Sequence, residues 1–304
     1  MWADHGRLMK QIWTRFALVC SLLAGGEVLS GGGIAQAAIK AGGQVFAHVL
    51  LDTGGVTALQ SVAGLGFADS AGKAGRPTPT PVDVWLGLDT TSEGFTRARD
   101  YLSGKSTAFP ASVQFADLNL AVKQVFNLGG AAITELEFAG ADAGGAKTRP
   151  TVRMRLQPES LSISPGSGTA KAGLSSTKGG VQGGNFRVSI GGAAAPDVVS
   201  VSPWLVRRSG ANLQISGLAV TVPFSKAFAG EWLKWSEDTL RGNPKADQKT
   251  LVLEYLDPAL KNTLMTFEFS RVSLTGVQVP KLDSGDEQGA IVTFQLSAGE
   301  LQVK

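Results

Sequence analysis

Thr151-Val-Arg-Met-Arg-Leu-Gln-Pro-Glu-Ser-Leu-Ser-Ile163 lies over Ile291-Val-Thr-Phe-Gln-Leu-Ser-Ala-Gly-Glu-Leu-Gln-Val303, and this likeness decides how the rest of the chain is read. Val152, Leu156 and Leu161 recur as Val292, Leu296 and Leu301. Upstream, Phe95 to Lys105 (FTRARDYLSGK) sits over Leu233 to Asn243 (LKWSEDTLRGN), each reading as one short helix closed by glycine. Phe46 to Val62 likewise parallels Phe186 to Val201: an alternating run, a Gly/Ala turn, a second apolar run. The offset stays between 138 and 140 positions throughout. The reading is a duplicated unit, and duplicated units point to a repetitive assembly rather than a single catalytic pocket.

The 304 residues then divide into two domains of about 120 residues each, residues 44–163 and 185–304. Residues 164–184, with almost no large apolar side chain, read as a Gly/Ser-rich linker. Thirty-nine glycines, 17% charged residues and a net charge of +3 exclude a disordered polyanion and a nucleic-acid arm. Arg7, Lys10 and Arg15 precede the apolar run Phe16 to Ala24, and Ala35-Gln-Ala37 supplies small residues for cleavage. Residues 1–37 therefore read as a signal peptide cut after Ala37, with Met1 or Met9 as the start, and the mature protein as periplasmic or secreted. The apolar core is too short to leave an integral membrane span. Cys20, the single cysteine, lies inside that run, so the mature chain has no disulfide, cysteine nucleophile or Cys-ligated zinc.

Between these landmarks the chain reads as strands. Gln44 to Asp52 and Val56 to Leu65 form a hairpin about Gly54-Gly55, and residues 68–81 form a Gly/Pro/Thr loop. Val82 to Leu88 follows, then a helix with Phe95, Ala98 and Leu102 on one face and Gly104 as its stop. Val113 to Leu120, Ala131 to Phe138 and Thr151 to Ile163 complete the first set. The second runs through Phe186 to Gly191, Val198 to Val206, Leu213 to Phe224, a helix from Glu231 to Leu240, Leu251 to Tyr255, Leu264 to Leu274, and Ile291 to Val303. The fold class is mainly β: two similar small barrels or sandwiches, each with one short helix.

Phe186-Arg-Val-Ser-Ile-Gly-Gly192, Leu218 to Ala227, Thr266 to Gly276, the acidic loop Asp283 to Glu287 and Val292 to Leu296 together resemble the tail-tube fold, including haemolysin-coregulated protein, the type VI secretion tube subunit. The resemblance covers the second unit and, through the repeat, the first. It implies a non-enzymatic subunit that self-associates into a ring. Tandem barrels resemble baseplate-hub proteins, in which a homotrimer presents six barrels. A signal peptide and two barrels per chain depart from the usual tube subunit.

The chemistry is sparse. His48 is the only histidine left after signal removal and reads as an ordinary strand residue, so no triad or histidine-rich metal site is expected. Asp283, Asp286 and Glu287 read as a solvated hairpin tip. No glycine pair is followed by the Lys-Ser/Thr of a phosphate loop, and no cofactor or nucleic acid is expected. Two function classes follow. The first is an assembly protein using strand edges: Leu213, Ile215, Leu218, Val220 and Val222, with Val82, Val84 and Leu86 as counterparts. If these are edges, proline at Val220 disperses the ring and spares the barrel. The second is a monomeric exported binding module for a surface glycan or protein partner, with Trp232 and Trp235 as a ligand platform.

Overall fold

The computed structural model describes residues 39–41, 44–46, 48–68, 78–145, 149–170, 181–227, 230–242, 249–279 and 290–304. The expected signal peptide, residues 171–180 of the Gly/Ser-rich linker and the acidic loop at Asp283 lie outside the described residues. The protein is mainly β, as the alternating runs require.

Among the described residues sixteen of the twenty-two strands carry the fold. With the helices, these begin with β1 (His48–Asp52), β2 (Val56–Ala63), β3 (Val82–Gly87), α1 (Glu93–Ser103), β4 (Phe109–Ala116), β5 (Val122–Phe138), β6 (Thr151–Gln157) and β7 (Ser160–Pro165). Then come β8 (Phe186–Ile190), β9 (Ser200–Val201), β10 (Trp204–Ser209), β11 (Asn212–Ser216) and β12 (Ala219–Pro223). The chain ends with α2 (Phe224–Ala227), α3 (Gly230–Leu240), β13 (Lys249–Leu256), β14 (Thr263–Gln278), β15 (Ile291–Ser297) and β16 (Glu300–Val303).

One sheet runs β6-β3-β2-β1-β4-β5-β10-β11; β6 also pairs with β5, which closes six strands into a barrel, and β7 pairs with β5 as well. The other sheet runs from a two-residue strand, Ala141–Asp142, through β9-β12-β15-β14-β13-β8 to a second, Ala193–Ala194, with β16 also on β14. By contact the chain separates into two compact units that interleave along the sequence. One comprises residues 1–84, 108–131 and 157–174, the other residues 85–107, 132–156 and 175–304. In the first, β4 lies between β1 and β5, and Phe115 meets Phe126 edge-on at 5.6 Å. Leu50, Ala116, Val122 and Ala170 form a buried cluster, with Leu120 packed against it. In the second, Phe138, Trp204, Phe267 and Phe269 form an aromatic core with ring centroids 5.1–5.5 Å apart. Such packing contributes through area burial and through ring geometry.

Helix α1 begins where Ser92 accepts a hydrogen bond from the Phe95 N–H and ends at Gly104 in the left-handed region. It buries Phe95, Ala98 and Leu102, as their spacing predicts, and Tyr101 besides. Helix α3 falls at the expected place, and Gly242 N–H donates to Thr239 O at its end, as Gly104 N–H does to Tyr101 O.

Several expected runs prove to be two elements. Leu213 to Phe224 breaks into β11 and β12 at Gly217, whose φ of +81° suits glycine and whose added Cβ would lie 3.0 Å from Pro203 O. Val198 to Val206 breaks into β9 and β10. Ala131 to Phe138 is the second half of a 17-residue strand.

Local details recur at fixed spacing. Leu120 and Leu260, 140 positions apart, both have positive φ (61° and 58°), and each donates its N–H to the aspartate three residues back, Asp117 or Asp257. Gly130 and Arg271 share the same unusual φ, 60° and 54°. Glu159 N–H donates to Gly129 O, and Gly299 N–H donates to Ser270 O.

Candidate functional site

Along β10 the pleat alternates side chains, so Trp204 and Val206 are buried while Arg207 is exposed on the opposite face. The strand pairs antiparallel with the end of β5: Trp204 opposite Phe138, Leu205 opposite Glu137, Val206 opposite Leu136, Arg207 opposite Glu135. That register sets the charges. Arg207 Nε donates to Glu135 Oε2 at 2.7 Å, and Arg153 on β6 donates to Glu135 Oε1 at 2.5 Å and to Glu137 Oε2 at 2.7 Å. Glu135 is buried, and burial pushes its carboxyl up. The hydrogen bonds and charges of Arg207 and Arg153 outweigh that, holding it below the usual carboxylate range.

Arg208 fastens the same strand to α1. Its Nε donates to Tyr101 O at 2.8 Å and its NH2 group to Leu102 O at 3.0 Å, so a guanidinium satisfies carbonyls at the negative end of the helix. Its backbone N–H donates to Tyr101 Oη, which donates in turn to Thr134 O. Burial pushes the Tyr101 phenol up, against the opposing influence of Arg208. The hairpin β10–β11 is thus held by main-chain pairing, an ion network around the buried Glu135, a helix end and the indole of Trp204. Reading the sequence stopped the strand at Val206 and missed both arginines. The only signal was the doublet itself.

The nominated edge residues separate sharply. Val82, Val84 and Leu86 are buried in β3, which has β2 on one side and β6 on the other. Val220 and Val222 are buried in β12; Val220 stands between Val201 and Phe294, so it is inside the sheet. Leu218 is buried just before it. Leu213 and Ile215 alone stand on an edge: β11 pairs with β10 and is the last strand of its sheet. Its sequence, Asn-Leu-Gln-Ile-Ser, carries no charge or proline to deter pairing.

Trp232 and Trp235 are buried. Trp232 stacks on Phe294 at 4.5 Å, and Lys249 Nζ lies 4.9 Å from the Trp235 ring. These rings belong to the core, as aromatics three apart on one helix face commonly do, and offer no platform to a ligand. Glu231 and Glu237 on α3 face Lys249 and Arg241 at 3.9 Å and 3.4 Å. His48 opens β1, paired with Ala116. Among the described residues no group of three His, Cys, Asp or Glu is placed to hold a metal, and no helix is long and apolar enough to cross a membrane.

No protein-family model matches the sequence, and no curated protein matches it. The chain is similar over about 40% of its length to several solved structures. One is the PVC sheath/tube terminator of an extracellular contractile injection system in its extended state: 17% identity, 40% of this chain, 93% of that chain, TM-score 0.33. Another is the terminating cap of the anti-feeding prophage tube: 12% identity, 40% of this chain, 87% of that chain, TM-score 0.31. A third is Hcp1 from Flavobacterium johnsoniae: 16% identity, 39% of this chain, 93% of that chain, TM-score 0.28. Tube proteins and Hcp1 are what the chain is similar to.

Proposed function

We propose that the protein is a non-enzymatic, exported structural subunit with tandem tail-tube-like barrels, residues 44–163 and 185–304, which self-associates into a ring. Three chains supply six quasi-equivalent units, because closed rotation satisfies a head-to-tail interface without unlimited growth. The observation that carries this reading is the mounting of β10 on β5: strand addition at a sheet end, made here between segments 66 residues apart, Phe138 and Trp204. The recurring turns at Asp117 and Asp257 support the duplication, and the uncharged outer strand β11, with Leu213 and Ile215, supports a further contact.

The test is the mass of the mature chain by light scattering, with electron microscopy of the same sample. A trimer or larger closed ring is expected, and a strict monomer at high concentration overturns the reading. N-terminal sequencing of secreted material is expected to begin at Ala38; a first residue before Gly25 overturns the proposed cleavage.

A further inference from the structure

Asp257-Pro258-Ala259-Leu260-Lys261-Asn262 joins β13 to β14 and contains the only Asp-Pro bond of the chain. Such a bond is a tertiary amide with no N–H on its nitrogen, and the aspartate before it carries a nucleophile of its own. The turn adds to this intrinsic chemistry. Asp257 O, the oxygen of the bond to Pro258, accepts from Leu260 N–H at 2.9 Å and from Asn185 Nδ2 at 3.4 Å. Two donors on one carbonyl oxygen draw electrons from its carbon and are in place for the charge that attack puts on that oxygen. Asn185 is itself anchored, its carbonyl accepting from Leu256 N–H at 2.8 Å.

The nucleophile is prepared as well. Lys261 N–H at 2.9 Å and Asn262 Nδ2 at 2.6 Å hold the Asp257 carboxyl in its ionised form in acid that protonates an ordinary carboxylate. Leu260 sits in the left-handed region, so the closed turn is strained and opening it releases that strain. Pro258 to Asn262 are exposed, which gives water and protons access to the bond. The turn after Asp117 lacks two of these parts. There the next residue is Leu118, and among the described residues the Asp117 carbonyl accepts Leu120 N–H but no side chain.

We propose that Asp257-Pro258 is a self-cleavage site, cut once per chain in mildly acidic medium. A carboxylate oxygen of Asp257 adds to its own main-chain carbonyl carbon and closes a five-membered ring, with the new charge on Asp257 O facing Leu260 N–H and Asn185 Nδ2. The bond from that carbon to the Pro258 nitrogen then breaks as the nitrogen takes a proton from the solvent. One water opens the resulting cyclic anhydride, leaving two carboxyl groups on Asp257 and a free amine on Pro258. The nicked product keeps its fold, because β13 and β14 stay paired from Tyr255 opposite Met265 to Leu251 opposite Phe269. The event changes the subunit itself and involves no other molecule as substrate.

The test holds the full mature chain at the lowest pH at which circular dichroism still reports the native fold, and follows it by mass spectrometry in denaturing solvent. Two fragments are expected, one ending at Asp257 and one beginning at Pro258, their masses summing to the chain plus one water. The bond after Asp117 serves as an internal control and is expected to stay whole. The same chain unfolded in urea at the same pH is expected to cut about tenfold more slowly, or less, and Asn185→Ala to lose most of the folded advantage. Pro258→Ala and Asp257→Asn are expected to abolish the cut. A folded chain that stays whole, or cuts no faster than the unfolded one, overturns the proposal. So does a folded Asn185→Ala chain that cuts at the wild-type rate.

Discussion

Leu260 holds φ at 58° although its side chain reaches mostly into solvent, so the left-handed conformation is imposed by the turn rather than by packing. Asp257 fixes that turn: its carboxylate accepts from Lys261 N–H at 2.9 Å and from Asn262 Nδ2 at 2.6 Å, which holds its pKa below the usual carboxylate range. Leu260→Gly removes a steric penalty of about 1–2 kcal/mol and adds unfolded-chain entropy of about 0.5–1 kcal/mol. The expected outcome is a gain of about 0.5–1 kcal/mol in urea unfolding. Leu120→Gly should not share it, because Leu120 packs on the buried cluster of Leu50, Ala116 and Val122. Glu135 is the residue for acid sensitivity. Its folded pKa lies below the unfolded value, so its contribution is present above the unfolded carboxylate range and is lost as pH falls through the folded value. Glu135→Gln should cost about 1–3 kcal/mol near neutrality, and the gap from wild type should narrow between roughly pH 5 and pH 3 in thermal melts. A gap that stays constant across that range would show that the carboxylate charge contributes nothing.

At the scale of elements, the hairpin β10–β11 concentrates the energetics. Trp204 fills the space among Phe138, Phe267 and Phe269, so Trp204→Ala should cost about 3–5 kcal/mol in chemical denaturation. Arg208→Ala leaves carbonyls at the end of α1 short of a donor, and should cost about 1–3 kcal/mol and speed hydrogen exchange in the last turn of α1. Val220→Pro tests the fold, not an edge. With partners on both sides of Val220, proline is expected to lower Tm of the whole protein rather than to disperse a ring. Period-two alternation marked most strands and three-four spacing marked α1 and α3, because both patterns are local, whereas the four-residue α2 is too short to show a period. The break at Gly217 was hidden because apolar residues recur on either side of it, Leu213 and Ile215 before and Leu218 and Val220 after. The edge status of β12 and β3 was hidden because a strand's neighbours are set by other strands, and burial on both sides leaves the same valine-rich run.

For the whole molecule, the compact units do not follow the proposed repeat: residues 132–156 and 85–107 group with the C-terminal part of the chain. Alternation within a strand says nothing of where a 17-residue strand exchanges one neighbour for another, so that grouping could not be read from the chain. The exchange is physical: β4 leaves β5 at Ala131, and β10 begins at Glu135.

That exchange has a consequence for synthesis. Ribosomal translation delivers β5 some 66 residues before Trp204. Until β10 emerges, Leu136 and Phe138 belong to a nascent sheet lacking the strand that covers them. At about 5–20 residues per second, that interval lasts several seconds, long compared with hairpin formation in microseconds. The interval is a window for pairing with the wrong strand, on the same chain or on a neighbouring one. A stop codon placed before Trp204 should therefore yield material that aggregates, and supplying the β10–β11 peptide in trans during refolding should recover soluble protein. Recovery that is equal with a scrambled peptide would show that the unfinished sheet end is not what misfolds.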